Sequence, residues 1–423
     1  MLNTLNLMSK TVSDYFPPDT SYFYGYPCGK GSGFLNLAPT LSEELVSARP
    51  LGCAGDSLRV VCFANGAREE ALRILADQVG LPLISEDRIV RLPAGIDASV
   101  MQETRDNMVQ DALRRLVPDG HFVMAQPYVA PLIEAKYLIP SGITNFLNDK
   151  ASLTDLIPEE YLAKTFHKFS DGLEFSSYNP KISHLPCVIK VTNSSAGDGV
   201  RICKNTEDIC DAQKDFLKIS SPIIIQEYVQ GVEEVGVQFG VPPNTESPTD
   251  ILGFSASITT PQGEYLGGNF DDSKVNETIK TIYTVIEKEI LPKVRKHGWY
   301  GIGGLDVLIR SDDSFVFIDG NFRMTATHAY RFNIANNLIQ SPFVTMSASM
   351  DGNLHIFAEK IVPIARMRTP DRILHPINLS ESGGVVRFNA GLLYDQPESL
   401  AENARHLLSL GVRSDILSVL ASR

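Results

Sequence analysis

Residues 301–324, GIGGLDVLIRSDDSFVFIDGNFRM, constrain the fold more than any other stretch of the chain. Two apolar runs flank the polar turn Arg310–Ser314, which reads as a β-hairpin. Placing Asp312-Asp313 in a two-residue turn sets Asp306 directly opposite Asp319, and the period of two puts Asn321 and Arg323 on the face of Asp319. Carboxylates facing each other, with Cβ atoms roughly 5 Å apart, repel unless a cation lies between them. Oxygens from two Asp and one Asn suit Mg²⁺, with Mn²⁺ able to substitute, because such ions take few protein ligands and complete their shell with phosphates and water. Arg323 then offers a fork of donors for a phosphate or a developing oxyanion. The plainer alternative is a hairpin whose acids face solvent; their embedding in apolar strands argues against it.

Three further segments carry polar residues in suggestive places. In CVIKVTNSSAGDGVRI (187–202), Lys190 lies within an apolar strand followed by the small residues Ser194, Ser195, Ala196, Gly197 and Gly199. Small residues let backbone N–H groups approach phosphate oxygens, and a strand-borne Lys adds a fixed positive charge. In IIIQEYVQGVEE (223–234), an apolar strand ends in Gln226, Glu227 and Val229, with Glu233 and Glu234 beyond. In FLNDKASLTDLIPEEYLAKTF (146–166), Lys150 opens a predicted helix. Taken singly, these are an ordinary turn, a generic strand end and a solvated lysine.

The rest of the chain sets their frame. A length of 423 residues suits two to four subdomains. LRVVCFA (58–64) reads as a buried parallel strand, followed by an Asn65-Gly66 turn and a helix over AREEALRILADQVG, so an α/β unit closes near residue 145 after HFVMAQ and PLIEAKYLIP. Strands are expected at PCVIKV, RIC, PIIIQEYV, EEVGVQFGV and ILGFSASIT, and helices over 208–217 and about 274–297, the second with a kink at Pro292 and a stop at Gly298. The tail from about 366 reads as a small appended unit with a helix over PESLAENARHLLSLG. A net charge of −12 argues against nucleic acid as a partner. No apolar run is long enough for a membrane helix, and the N-terminus lacks a signal-peptide pattern, so the expected location is the cytoplasm. Six scattered cysteines form no zinc or disulfide pattern. GKGSG (29–33) lacks the spacing of a phosphate loop.

The order of the signals is the informative part: Lys150, then Lys190 with its loop, then QEYV, then the paired acids with Asn321 and Arg323. From Asn148 to Arg331 that order resembles the ATP-grasp superfamily. The resemblance implies an α/β (α+β) chain: an N-terminal extension and pre-grasp domain (1–147), a mobile lid (148–230), a catalytic subdomain with the metal site (231–365) and a small C-terminal unit (366–423). It implies that Lys150 and Lys190 hold the ATP phosphates under a flap bearing Ser195, Gly197 and Gly199. Gln226 would take the adenine amino group, with the backbones of Glu227 and Val229 completing the hinge, and Glu233 the ribose, adjacent Glu234 being its rival. Asp306, Asp319 and Asn321 would ligate Mg²⁺, Arg323 would steady the transferred phosphoryl group, and His328 and Arg331 would face the acceptor. The family usually has Glu at both metal positions, and MTATHAY after Arg323 matches neither the carboxylases nor the D-alanine ligases, which leaves the substrate open. The Gly/Pro-rich pre-region and short C-terminal unit look most like natural-product peptide ligases such as the pheganomycin ligase. The implied reaction joins a carboxylate and an amine, from amino acids or peptides, through an acyl phosphate, releasing ADP and phosphate. A carrier-protein thiol as acceptor, a non-catalytic nucleotide-binding module and a homodimer stay open.

Overall fold

The structure, a computed structural model, describes residues 10–23, 43–96, 102–116, 121–124, 137–180, 182–194, 199–260, 265–367 and 369–422. Near the N-terminus, β1 (Ser21–Phe23), β2 (Arg59–Cys62), β3 (Ile89–Arg91) and β4 (Phe122–Met124) form a parallel sheet in the order β3-β2-β1-β4. The run LRVVCFA supplies β2, whose Val60, Val61 and Cys62 are fully buried, as a parallel strand covered on both faces requires. The helix after it begins at Glu69, passes into a π-turn over Ile74–Val79 and stops at Gly80, whose φ of 92° only glycine adopts freely.

A second, antiparallel sheet of four strands runs β5-β8-β6-β7, built from β5 (Thr165–Phe169), β6 (Cys187–Val191), β7 (Val200–Cys203) and β8 (Ile223–Glu227). A helix over Thr206–Phe216, capped by Asn205, buries Ile209, Ala212 and Phe216 against Ile189, Val191, Ile223 and Ile225. Alternation therefore turns Lys190, with Val188, Ile224 and Gln226, to the other face of this sheet.

The largest sheet has nine strands: β9 (Glu233–Val241), β10 (Asp250–Thr259), β11 (Tyr265–Phe270), β12 (Gly301–Ile309), β13 (Phe315–Asn321), β14 (Phe343–Asp351), β15 (Leu374–Ser382), β16 (Val385–Leu393) and β17 (Val412–Arg413). Eight run in the order β13-β12-β9-β10-β11-β14-β16-β15, and β17 pairs with β14. One face is apolar. Val235, Val237, Leu305, Val307, Phe315 and Phe317 pack on Ile279, Ile282, Ile286 and Ile290, and further along Met346, Ala348 and Phe388 pack on Phe357, Ile361 and Leu407. The expected helix over 274–297 is a helix over Glu277–Val285, a π-turn over Ile286–Ile290 and a helix over Leu291–Lys296. The wide turn precedes Pro292 and accommodates its missing N–H, and Gly298 ends the run at φ 78°. Residues beyond 366 add β15 and β16 to this same sheet. Among the described residues no helix is long and apolar enough to cross a membrane. The other face of the sheet is polar, and the candidate site lies on it.

Candidate active site

The β12–β13 hairpin brings Asp306 opposite Asp319, but by another route than a two-residue turn. Arg310 and Ser314 close a three-residue loop (Arg310 N to Ser314 O, 2.8 Å), with Asp313 left-handed at φ 64°. This shifts the register, and Ile309 faces Phe315. A bulge then restores it: Val307 pairs with Phe317 and Asp306 with Asp319, leaving Ile318 extra. Ile318's carbonyl accepts a hydrogen bond from Lys190 Nζ at 3.0 Å.

Around the acids, Asn321 Nδ2 donates to Asp306 Oδ2 at 3.0 Å, and Gly320 N–H donates to Asp319 Oδ1 at 2.9 Å. Gly236 on β9 faces Asp306; a Cβ there would come within 3.3 Å of Asp306 Oδ1. Burial, reinforced by Asp319 and Glu234, pushes the Asp306 carboxyl well above the usual range, while Arg323 and Lys150 pull the other way. Two opposed carboxylates and an amide oxygen form an all-oxygen donor set, which fits a hard divalent cation.

Lys150 Nζ lies 3.1 Å from Asp319 Oδ2 and donates to Ser194 O at 2.7 Å. It sits in a short 3₁₀ turn, Lys150–Ser152, where the sequence predicts a longer helix, and its own N–H donates to Thr192 O. Next to it, Asn148 Oδ1 accepts from Phe322 N (3.1 Å) and Arg323 Nη1 (2.8 Å), which fixes the arginine beside the acids. Lys190, from the second sheet, is buried, and desolvation lowers its pKa to about 8 despite the pull of Asp319. Two lysines from separate segments and an arginine thus converge on one pair of aspartates.

At the β12–β13 hairpin Ala163, Val229 and Val316 form a small apolar cluster, with Leu308 and Ile318 packed against it. Gln226, at the end of β8 on the face of Lys190, donates to Thr165 Oγ1 at 3.2 Å, and Glu227 N–H is taken by Lys164 O at 2.8 Å. The Glu227 N–H is therefore already taken.

The two sheets closing on one polar face have counterparts among known proteins. A family model described as L-aspartate–L-methionine ligase, ATP grasp, matches residues 173–321. N5-carboxyaminoimidazole ribonucleotide synthetase, solved as an ADP complex, superposes with a TM-score of 0.56 at 10% identity, covering 94% of this chain and 98% of that one. Biotin carboxylase from Campylobacter jejuni gives 0.55 at 12% identity over 84% and 87%. The chain has the ATP-grasp fold. In sequence it is similar to formate-dependent phosphoribosylglycinamide formyltransferase of Photobacterium profundum, 23% identical over 282 residues, 61% of this chain and 68% of the relative. The enzyme of that name from Methanocaldococcus jannaschii is 23% identical over 281 residues, 61% and 68%.

Within the candidate site some expected residues stand elsewhere. Glu233 is exposed at the start of β9, whereas Glu234 faces Leu308 on the polar side, hydrogen-bonds Ser257 and has its pKa raised by burial. The alternation Val235, Val237, Phe239, Val241 was the available signal, since it assigns the even positions of β9 to the face opposite the core. Ser195 and Gly197 lie outside the described residues; Gly199 is close against Ser194, where a Cβ would meet its Oγ at 2.5 Å. His328 does not face an acceptor. It is fully buried, Nδ1 meets Thr325 N (3.0 Å) and Nε2 meets Gly303 O (3.0 Å). Burial lowers its pKa to about 4, so the ring is neutral at physiological pH. Arg331 is likewise enclosed, paired with Asp272 at 2.7 Å and lying over the Phe270 ring at 4.7 Å.

Proposed function

We propose that this chain is an ATP-dependent carboxylate–amine ligase that works through an acyl phosphate. The observation carrying the proposal is the convergence of Lys150, Lys190 and Arg323 on Asp306 and Asp319. A site that only held a nucleotide has no use for an arginine fixed beside the acids at the phosphate end.

In this reading the adenine lies against Val229, Val316 and Leu308, Gln226 and the hinge backbone address its polar edge, and Glu234 takes the ribose in place of Glu233. Lys150 and Lys190 hold the phosphates. Asp306, Asp319 and Asn321 hold Mg²⁺, which when bound neutralises charge on the phosphate oxygens. The donor carboxylate attacks the γ-phosphorus, the bond to ADP breaks, and Arg323 offsets the charge that develops. The amine nitrogen then attacks the acyl carbon, the C–O bond to phosphate breaks, and the ammonium proton passes to phosphate or water. Closure of the β5–β8 sheet over the polar face excludes water, which would hydrolyse the acyl phosphate. Amino acids or short peptides are the substrates proposed, the class named by the family description matching residues 173–321.

The test follows one oxygen. With the donor carboxylate labelled with ¹⁸O, one labelled oxygen should appear in the released phosphate, alongside ADP. AMP with pyrophosphate, or unlabelled phosphate, would refute the acyl-phosphate mechanism.

A further inference from the structure

The polar face of the large sheet continues past the acids as a strip of small and hydroxylated residues. From Asp306 it passes to Gly236 on β9 and Ser255 on β10, and in the next row from Glu234 through Ser257 to Gly268 on β11. Gly268 N–H donates to Thr345 Oγ1 at 2.7 Å, and Thr345 is also hydrogen-bonded to the Tyr265 hydroxyl. A Cβ on Gly268 would lie 3.2 Å from that hydroxyl and 3.3 Å from the Ser255 Cβ, so glycine keeps the space over the strip clear. Tyr265 is 43% exposed, and its ring borders solvent where the strip opens. Ser255 stands two strands from Asp306, about 10 Å at the ordinary spacing of strands in a sheet.

One hydroxyl beside this strip has nothing to bond. Tyr330, on the helix over His328–Ala335, is 2% exposed and packs its ring on Phe270 and Phe343 at centroid distances of 6.0 and 5.5 Å. Its hydroxyl lies within electrostatic reach of Arg49 and Tyr265, yet it has no hydrogen-bond partner among the described residues. Two other buried tyrosines are matched: Tyr15 donates to Asp250 Oδ2 at 3.0 Å, and Tyr394 to Asn269 Oδ1 at 2.8 Å. A ring needed only for packing is supplied by phenylalanine, without the cost of desolvating a hydroxyl. The oxygen of Tyr330 therefore has a use that its protein neighbours do not fulfil. Burial holds this hydroxyl protonated, so it serves as a donor.

We propose that Tyr330 is a specificity-determining residue whose hydroxyl donates a hydrogen bond to an oxygen of the substrate lying on this strip. The proposal rests on the ligase reading above and adds a recognition residue and a requirement on the substrate. At about 10 Å from the acids, this oxygen is not that of the carboxylate under activation, which lies beside Arg323. The substrate on the strip therefore carries, besides its reacting group, an oxygen that accepts hydrogen bonds: a hydroxyl, a carbonyl or a second carboxylate. A hydrocarbon group in its place leaves the Tyr330 hydroxyl unpaired in the complex as well.

Hydroxylamine identifies the substrates first, because it captures an acyl phosphate as a hydroxamate. Carboxylic acids, the standard amino acids included, are screened with ATP, Mg²⁺ and hydroxylamine for the donor, and the standard amino acids are then screened with that donor as acceptors. Each substrate so found is compared with analogues in which one oxygen-bearing group becomes hydrocarbon or is removed. Valine replaces threonine, phenylalanine replaces tyrosine, leucine replaces aspartate or asparagine, and the parent amine replaces an amino acid with its own carboxylate. For the pair that identifies the bound group, the wild-type preference in kcat/KM should fall by about 5- to 30-fold in Tyr330→Phe. The fall should come mainly through the KM of the oxygen-bearing substrate, with the KM for ATP little changed. Without ligand, Tyr330→Phe should melt at or above the wild-type temperature, since it deletes an unpaired hydroxyl. Saturation with the oxygen-bearing substrate should then raise the melting temperature of the wild type more than that of the variant. A ligand-free variant that melts below the wild type, or preferences unchanged in every pair, would overturn the role of Tyr330 alone. Hydroxamate from no acid at all would overturn the ligase reading and this proposal with it.

Discussion

The two faces of the β12–β13 hairpin are made by alternate residues of the same strands and do opposite things. Leu305, Val307, Phe315 and Phe317 are buried against the helix over Glu277–Val285 and its π-turn, where every atom contributes to packing. One residue away, Asp306, Asp319 and Asn321 crowd like charge together and leave Asp306 difficult to ionise. The first face stabilises the fold, and the second carries a cost that Lys150 and Arg323 offset only in part. Substitutions on the two faces should therefore have separable effects.

The largest effect should come from Asp319→Asn. Removing one of two opposed carboxylates while keeping its shape should lower turnover by several orders of magnitude, with circular dichroism and melting little changed. Near-normal turnover in the folded variant would remove the metal assignment and blur the distinction between the faces.

Phe317→Ala tests the other side. Phe317 is 1% exposed, and its truncation should cost about 3–5 kcal/mol of stability in denaturant titrations. Its KM for ATP, measured where the variant remains folded, should stay within a few-fold of wild type. A loss of activity out of proportion to the folded fraction would mean that the apolar face also shapes the site.

The alternation behind this comparison was legible in the sequence, because apolar side chains at every second position betray a half-buried strand. The turn was not. Two residues at Asp312-Asp313 and three residues at 311–313 fit the same polar stretch, and only the bulge at Ile318 returns Asp319 to Asp306. That bulge is tied to a tertiary contact, the Ile318 carbonyl meeting Lys190 from another sheet, which no local pattern announces. His328 shows the converse limit. Its sequence position after Arg323 suggested a role toward substrate, but whether a histidine is offered or enclosed depends on what covers it, here Gly303 and the Thr325 turn. That β14 to β17 join the main sheet is equally hidden, because a strand's partner is set by long-range register, not by its own composition.

Lys190 links the polar face to the second sheet, so its substitution sharpens the comparison at intermediate size. Lys190→Ala should weaken ATP binding by roughly 2–4 kcal/mol, through loss of a charge-assisted contact, while adenosine binding changes little. With a pKa lowered to about 8, the lysine loses its charge as pH rises past that value. Wild-type affinity for ATP should then decline above pH 8, and the decline should be shallower in Lys190→Ala. Calorimetric titration of ATP and adenosine across that range checks both points; equal losses for the two ligands would make Lys190 structural.

The smallest effect is the most direct measure of what the polar face costs. Asp306 has its pKa raised by burial first, then by Asp319 and Glu234, so the folded protein binds a proton at Asp306 more readily than the unfolded chain does. For a carboxyl raised in this way, its contribution is fully present below the unfolded value of about 4 and is lost as pH rises toward and through the folded value. Asp306→Asn removes this titration yet keeps an oxygen to accept from Asn321 Nδ2. Without ligand the variant should melt together with wild type near pH 4 and become the more stable of the two above neutrality, by on the order of 1 kcal/mol. Adding ATP and Mg²⁺ should reverse the order, since only the wild type recovers binding energy from its two acids. Melting curves from pH 4 to 9, with and without ligand, decide it. A ligand-free wild type as stable as Asp306→Asn at pH 8 would mean that the opposed carboxylates carry no strain, and that the two faces differ in chemistry without differing in cost.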